Sequence, residues 1–217
     1  MTLRGDELVE RICEGGSDDD AHELLAEFYR GYPISNLRRL FHSNREDAIK
    51  AGAWMISELG QAATPLLDDV PWLLRHHLRY ARFFALDAVL VAASVTHGPV
   101  IAEAIRLIDD EDDAVRWKAM HFLSRATTHQ LRAGVRHLNE LTIARLVKWL
   151  LDSVSAERAS EIIAAIGDED PLRRRIGTAA AARIAPENRT PLEHAESSSD
   201  VEVAGFAREI LGRAKHR

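Results

Sequence analysis

The chain has 217 residues, of which 46% are hydrophobic and 29% charged, a balance that suits a globular protein with a full apolar core. Its formal net charge of −6 disfavours a protein that lives mainly on nucleic-acid backbones, although a local basic face is compatible with it. Cys13 is the single cysteine, which excludes an internal disulfide or a cysteine metal cage. The longest apolar run, from Phe83 to Val95, is interrupted by Asp87 and is shorter than the ~20 residues of a membrane span. The N-terminal segment has no apolar signal core, so we predict a cytoplasmic protein with no membrane partner.

The hydrophobic pattern is helical from one end of the chain to the other, without the alternating β-branched and aromatic runs of strands. Two helices, at about Asp6–Cys13 and Asp18–Gly31, come first and are predicted to cap the end of a helical array. Six short apolar helices follow, each placed before a longer helix: Ile34–Phe41, Pro65–Leu74, Val100–Ile108, Gln130–Leu138, Ser160–Ile166 and Pro191–Ala195.

The longer helices recur at a nearly constant interval. Their anchor residues are Ala48, Ala81, Val115, Ile143, Leu172 and Val203, separated by 33, 34, 28, 29 and 31 residues. This interval fits a repeat of two short helices. Offsets of 0, +4, +7, +8 and +11 from an anchor share one helix face, and Gly52 and Arg183 alone depart from apolar character there. We therefore predict an all-α, single-domain α-solenoid over residues 1–217, with capping helices in 1–33 and six helix pairs in 34–214.

Two segments, YARFFA at residues 80–85 and AVRWKA at 114–119, resemble the second helix of a HEAT repeat. In that family an apolar residue is followed by an arginine, and an aspartate stands in the preceding turn. The arginine place is occupied by Arg82, Arg116 and Arg173, and the aspartate place by Asp110 and Asp168. Ile49 and Ala204 depart from the pattern, and the fourth pair matches it poorly. The resemblance implies that these charged side chains join adjacent repeats, and that the second helices line a concave binding surface.

On that surface, positions +2 and +6 from each anchor are expected to point towards the groove. They form what we call the predicted stripe: Lys50, Trp54, Phe83, Asp87, Trp117, His121, Arg145, Trp149, Arg174 and Thr178. Three of the four tryptophans fall on it. Aromatic and arginine side chains anchor interfaces because they bury a large area with few rotatable bonds. Packing between alanine-rich helices, which need large neighbours, is the alternative interpretation of the same residues.

The sequence predicts no catalytic residue, metal site or cofactor, because it has no nucleophile elbow, Walker loop, dinucleotide fingerprint or zinc-binding histidine pair. The acidic run Asp109–Asp113 lacks the glycine and the ligand spacing of a calcium loop and is predicted to cap a helix. Five arginines form either an anion-binding cluster or pairs with nearby acids: Arg173, Arg174, Arg175, Arg183 and Arg189.

We therefore expect a non-catalytic scaffold or adaptor that binds a protein partner. One version is an inhibitor or immunity-type protein, because acidic charge would steer a basic partner towards it. The alternative is an enzyme similar to the HEAT-like alkylpurine DNA glycosylases. The groove residues of that family are loosely resembled in this chain by Phe83, Asp87, Trp117, Arg145 and Trp149. There Asp87 would stabilise positive charge on the sugar. An enzyme scaffold similar to the phycobilin lyases is a further alternative, and a small-molecule ligand is left open.

Overall fold

The computed structural model describes residues 3–153 and 155–215, with the side chains of residues 4–153 and 155–212. Val154 and the side chain of Ala214, both placed on the predicted apolar face, lie outside this description. The described residues form helices joined by short turns and include no strand, so the all-α prediction is confirmed. Contacts between Cα atoms divide the chain into two compact units, Met1–Ser94 and Val95–Arg217, and each is described by itself.

The first unit begins with the predicted cap. Its helices are α1 (Leu3–Glu14), α2 (Asp18–Tyr29), α3 (Arg38–Phe41), α4 (Glu46–Glu58), α5 (Val70–Leu74) and α6 (Arg79–Ala92). Short 3-10 turns, Ile34–Leu37 and Gly60–Leu66, precede α3 and α5. The α1–α2 hairpin packs on α3 and α4, and α4 packs in turn on α6. Each helix thus covers the apolar face of the next one, as in a helical repeat.

The second unit contains the remaining helix pairs. Its helices are α7 (Gly98–Arg106), α8 (Asp113–Arg125), α9 (Thr128–Val135), α10 (Leu141–Asp152), α11 (Ala159–Ile166), α12 (Pro171–Ile184), α13 (Thr190–Glu196) and α14 (Val201–Lys215). Across the described residues of both units, the six predicted pairs are present, from α3–α4 to α13–α14. None of the described helices is both long and apolar enough to cross a bilayer.

The packing of the second unit departs from a simple stack at the fourth pair. The last two pairs pack as expected, with α11 against α13 and α12 against α14. However, α8 of the third pair packs directly on α12 of the fifth and also touches α14. The α10 helix packs on α9 and α12. The second helix of the third pair therefore contacts the second helices of the fifth and sixth pairs directly. The fourth pair, which matched the repeat poorly in sequence, does not separate them.

In the second, third and fifth repeats, an arginine of the second helix bonds to main-chain carbonyls of the turn before that helix. Arg116 Nη1 donates to Asp110 O at 2.8 Å and to Glu111 O at 2.9 Å, in the turn before its helix. Arg82 makes the same two bonds to the carbonyls of His76 and His77, at 2.7 and 2.9 Å. In each case the arginine satisfies carbonyls of a tight turn that have no helical donor.

In the fifth repeat this role falls to Arg174 and not, as the sequence register placed it, to Arg173. Arg174 Nη1 donates to Asp168 O at 3.0 Å and to Glu169 O at 2.9 Å. Arg173 instead pairs with the carboxylate of Asp168 at 2.8 Å. The reason lies in the turn. Asp168 accepts from Asp170 N, as Asp110 accepts from Asp112 N in the third repeat. In both turns, the arginine that reaches the carbonyls is the one six residues after this aspartate.

The corrected register also explains Gly52, which stood outside the apolar pattern. Three residues after the arginine place, each of five second helices carries a small buried residue: Gly52, Ala85, Ala119, Gly177 and Ala207. A Cβ added to Gly52 would lie 2.9 Å from Leu40 Cβ, and one added to Gly177 would lie 3.0 Å from Ala165 Cβ. The first helix of each of these two pairs thus crosses close to the second at this position.

Candidate functional site

Three helices of the first unit each present two polar or aromatic side chains one turn apart. We call this surface the α2–α4–α6 face, and its residues are Asp18, His22, Lys50, Trp54, Tyr80 and Phe84. Residues four positions apart lie above one another on one side of a helix, so each pair forms a short column. Because α2 packs on α4 and α4 packs on α6, the three columns are neighbours.

Direct ring contacts join these columns. The imidazole of His22 and the indole of Trp54 have centroids 4.7 Å apart and are tilted by 50°. The ammonium of Lys50 lies 5.0 Å from the centroid of the Tyr80 ring, within the range of a cation–π contact. His22 Nδ1 lies 2.8 Å from the carbonyl of Asp18, which can only accept, so this nitrogen carries a proton. The imidazole is thereby oriented, and Nε2 is its second polar atom.

A cleft of about 290 Å³ opens between these helices. Its apolar lining includes Ile12, Ala21 and Phe84, and Asp18, Asp47 and Lys50 also line it. Trp54 is half-buried and forms part of the wall. The cleft therefore combines apolar residues, the rings of His22, Trp54 and Phe84, and charged groups, a composition that suits a recognition site.

The α2 wall of this cleft is fixed by its N-terminal capping box. Ser17 Oγ accepts from Asp20 N at 3.3 Å, and Asp20 Oδ2 accepts from Ser17 N at 2.9 Å. Ser17 Oγ also donates to Asp20 Oδ2 at 3.0 Å, and the main-chain and hydroxyl bonds that Ser17 donates to this carboxylate lower the pKa of Asp20 below its usual range. Arg11 of α1 lies 3.1 Å from the same carboxylate and ties the two cap helices together. The position of α2, and with it Asp18 and His22, is thus set by local hydrogen bonds.

Two members of the predicted stripe, Lys50 and Trp54, are brought together at this cleft. The other two predicted for this unit, Phe83 and Asp87, are half-buried on α6, where Phe84 lines the cleft in the place expected for Phe83. The Phe83 ring packs edge-on against Phe84 at 5.5 Å. Asp18, His22 and Tyr80 were missed. The spacing of four residues between Tyr80 and Phe84, and between Asp18 and His22, is the signal that identifies them.

A second aromatic cluster of this unit joins Trp72 of α5 to histidines in the turns that follow α3 and α5. Trp72 is 38% exposed, and its ring centroid is 5.2 Å from that of His42 and 4.5 Å from that of His76. His77 Nε2 lies 3.2 Å from Glu46. Trp72 does not line the cleft at Trp54. A substitution of Trp72 is therefore a suitable control for a substitution of Trp54.

In the second unit, Trp117 and His121 of the predicted stripe meet on α8. Their ring centroids are 4.2 Å apart, and His121 also packs 4.7 Å from Phe206 of α14. His121 is buried, whereas Trp117 is half-buried and lines an open recess of about 590 Å³. This recess lies at the N-terminal ends of α8 and α14 and is also lined by Arg116, Val201 and Glu202. Part of the Trp117–His121 pair thus serves packing between helices.

The remaining stripe residues of this unit are placed apart from that pair. Arg174 Nε lies 2.8 Å from Asp200 Oδ2, and the buried hydroxyl of Thr178 donates to Arg174 O at 2.8 Å. Arg145 is exposed and Trp149 half-buried on α10, which packs on α9 and α12. The ring contacts that join Trp117, His121 and Phe206 do not include Trp149.

The arginine cluster of the second unit is engaged within the protein, one of the two interpretations that the sequence left open. Arg175 lies 2.9 Å from Asp109 and 3.4 Å from Glu202. Arg183 Nη1 donates to three main-chain carbonyls at the end of α8. With Arg173 and Arg174 also paired, four of the five arginines hold helices and turns together, and Arg189 is exposed before α13. Among the described residues, no group of three or more histidine, cysteine, aspartate or glutamate side chains is arranged to hold a metal ion.

Comparisons with known proteins give matches among solved structures. No protein-family model matches the chain, and no curated protein matches it. An engineered protein solved by the Northeast Structural Genomics Consortium is 14% identical, with 98% of this chain and 89% of that chain covered and a TM-score of 0.45. A designed armadillo repeat protein is 17% identical, with 95% of this chain and 90% of that chain covered and a TM-score of 0.45.

Proposed function

We propose that the protein is a non-catalytic adaptor that binds a segment of a protein partner in the cleft of the α2–α4–α6 face. The observation that carries the proposal is the half-buried Trp54 in the wall of an open cleft, held among helices of one packed unit. Helical repeat proteins commonly present such surfaces to other macromolecules. Tryptophan anchors interfaces because its large ring is desolvated on binding at little cost in rotamer entropy.

The groups around the cleft suit recognition of a peptide segment. Phe84, Ile12 and Ala21 offer an apolar interior, and Asp18, Asp47 and Lys50 offer charged contacts that select a partner. The net charge of −6 favours a basic partner, which retains the inhibitor or immunity version of this function as part of the proposal.

The proposal is tested by site-specific photo-crosslinking in a lysate of the source organism. A photoreactive amino acid replaces Ala51, a half-buried residue of α4 that lines the cleft and carries none of its charged groups. A second preparation carries it at Glu58, an exposed residue at the other end of α4 that does not line the cleft. We expect a defined protein to be crosslinked from position 51 and not from position 58.

Tryptophan variants provide the matched control. In the chain labelled at position 51, Trp54→Ala should weaken capture of that protein by at least about thirtyfold, as for an interface anchor. Trp72→Ala removes an equally large side chain from another surface of the same unit and should leave capture unchanged. Both variants are first checked for native helical content and thermal midpoint. Equal capture by the folded Trp54→Ala variant would refute binding at this cleft.

A further inference from the structure

Resting on the proposed function, we infer that the cleft recognises a cationic side chain of the partner, an arginine, which stacks on Trp54 near the carboxylates of Asp18 and Asp47. The size of the cleft is the first argument. About 290 Å³ is at the lower end of the roughly 300–1,000 Å³ that ligand pockets occupy. The space suits one long side chain entering from a bound segment.

The aromatic wall is the second argument. The indole of Trp54 is the best natural platform for a cation, and a guanidinium stacks on it face to face because both groups are planar. His22 already packs against this indole with its ring tilted by 50°, and its Nδ1 is engaged with the Asp18 carbonyl. Trp54 is half-buried and lines the cleft, so a planar cation that enters the cleft can reach its side chain.

The charges around the cleft are the third argument. Asp18 and Asp47 stand in the first turns of α2 and α4 and line the cleft together. Asp47 is in loose contact with Arg45 at 3.6 Å and keeps 80% of its side-chain surface exposed, so a second cation can approach it. Lys50 is the cation that lines the cleft, and its ammonium is drawn over the Tyr80 ring at 5.0 Å.

The helix N-termini at the cleft do not favour an anion instead. Their partial positive charge is already matched by carboxylates in the first turn, namely Asp18, Asp19 and Asp20 on α2, and Glu46 and Asp47 on α4. A cation brought between these turns is attracted by carboxylates on both helices. An arginine therefore fits the cleft better than an acidic or phosphorylated side chain.

The inference is tested with the full chain and a glycine-flanked arginine peptide. The indole N–H signal of Trp54, assigned by its loss in Trp54→Phe, is followed by NMR while the peptide is added. The matched probe is the same peptide with citrulline, which keeps the shape of arginine and lacks its charge. We expect the Trp54 signal to shift with the arginine peptide and to remain in place with citrulline. An equal response to both peptides, or no response to either, would overturn the inference.

Two charge variants separate a specific contact from general attraction. Asp18→Asn should weaken binding of the arginine peptide by about two- to fivefold, the range of an exposed ion pair. Asp19→Asn removes the same charge from the neighbouring exposed position, which does not line the cleft, and should leave binding unchanged. Equal weakening by both variants would show attraction to net charge and would overturn the site.

The two experiments fail separately. If position 51 still crosslinks a partner while the arginine peptide gives no shift, the adaptor function stands and the ligand class is wrong. If the arginine peptide shifts Trp54 while no protein is crosslinked, the cleft binds a cation and the adaptor function is wrong.

Discussion

Arg116 Nε lies 3.0 Å from Glu202 Oε1, although 86 residues of chain separate the two residues. The same carboxylate lies 3.4 Å from Arg175 Nε, so Glu202 of α14 joins α8 and α12. In a regular helical repeat each pair contacts its sequence neighbours, and the third and sixth pairs stay apart. In the second unit, the third helix pair is therefore connected directly to the fifth and sixth pairs, without the α9–α10 pair in between.

Removing the charge of Glu202 tests this connection. The side chains of Glu202, Arg116 and Arg175 are 15%, 18% and 12% exposed, so their charges are screened less than those of surface pairs. Glu202→Gln leaves two guanidinium groups with a neutral neighbour and should lower the free energy of unfolding by about 1–3 kcal/mol. Urea unfolding followed by helical circular dichroism measures the loss. Glu196→Gln, at an exposed position on α13, is the control and should change stability by less than about 0.5 kcal/mol.

The helices of this protein could be predicted because hydrophobic periodicity reports which face of a segment is buried. It does not report which helix covers that face. Val115, Ala119 and Phe122 mark the buried side of α8 correctly. Nothing in their spacing indicates that α8 packs more extensively on α12 than on α10, the second helix of the next pair. The poor match of the fourth pair to the repeat was the available hint.

The candidate site was predictable in part for a related reason. Lys50 and Trp54 were found because α4 has a clear anchor at Ala48. Asp18 and His22 were missed because the capping helices were given no anchor. A shift of one residue rotates a side chain by about 100° around a helix, and this separates Phe84, which lines the cleft, from the predicted Phe83.

Arg183, the arginine that interrupted the apolar pattern of α12, is expected to stabilise the end of α8. Its Nη1 donates to Leu123 O at 2.8 Å and to Ala126 O at 2.7 Å, which belong to the carbonyls left without helical donors. Burial lowers the pKa of this guanidinium below its usual range. Arg183→Met should lower the free energy of unfolding by about 2–3 kcal/mol, because charged hydrogen bonds to buried carbonyls are lost.

Hydrogen exchange provides a local measurement of the same effect. Amides in the last turn of α8 should exchange faster in Arg183→Met than in the wild type, because that turn loses its cap. Arg132→Met, on an exposed position of α9, should leave both exchange and stability unchanged. Unchanged exchange in α8 together with full stability of Arg183→Met would contradict the capping role.

Two glycines of the second unit should respond in opposite directions to the same substitution. Gly177 lies where α11 crosses α12, and a Cβ there would be 3.1 Å from the main-chain carbon of Ala165, which cannot move aside easily. Gly177→Ala should therefore destabilise the protein by about 1–3 kcal/mol. Gly205 lies inside α14, and apart from its own helix backbone and chain neighbours nothing lies within 4 Å of an added Cβ, so Gly205→Ala should stabilise the protein by about 0.5–1 kcal/mol. Thermal midpoints of the two variants should move apart, and a rise in both would contradict the close crossing.

His76 is expected to make the stability of the protein sensitive to mildly acidic pH. Its Nδ1 accepts from Leu78 N at 3.1 Å, at the turn position where the third and fifth repeats carry Asp110 and Asp168. Burial and the neighbouring charges of His77 and Arg82, partly opposed by Glu46, lower the pKa of His76 below its usual 6.5. The folded protein thus takes up this proton less readily than the unfolded chain. The contribution of His76 to stability is full above about pH 6.5 and is lost as the pH falls through the lower folded value.

Replacing His76 by the residue used in the other repeats should remove this sensitivity. Asp at position 76 keeps an acceptor for Leu78 N that remains ionised down to about pH 4. We therefore expect the free energy of unfolding to decline less in His76→Asp than in the wild type between about pH 7 and about pH 5. His129→Asp, at an exposed position on α9, controls for the loss of any histidine and should follow the wild-type profile. Parallel profiles of wild type and His76→Asp would show that the turn before α6 does not depend on a neutral His76.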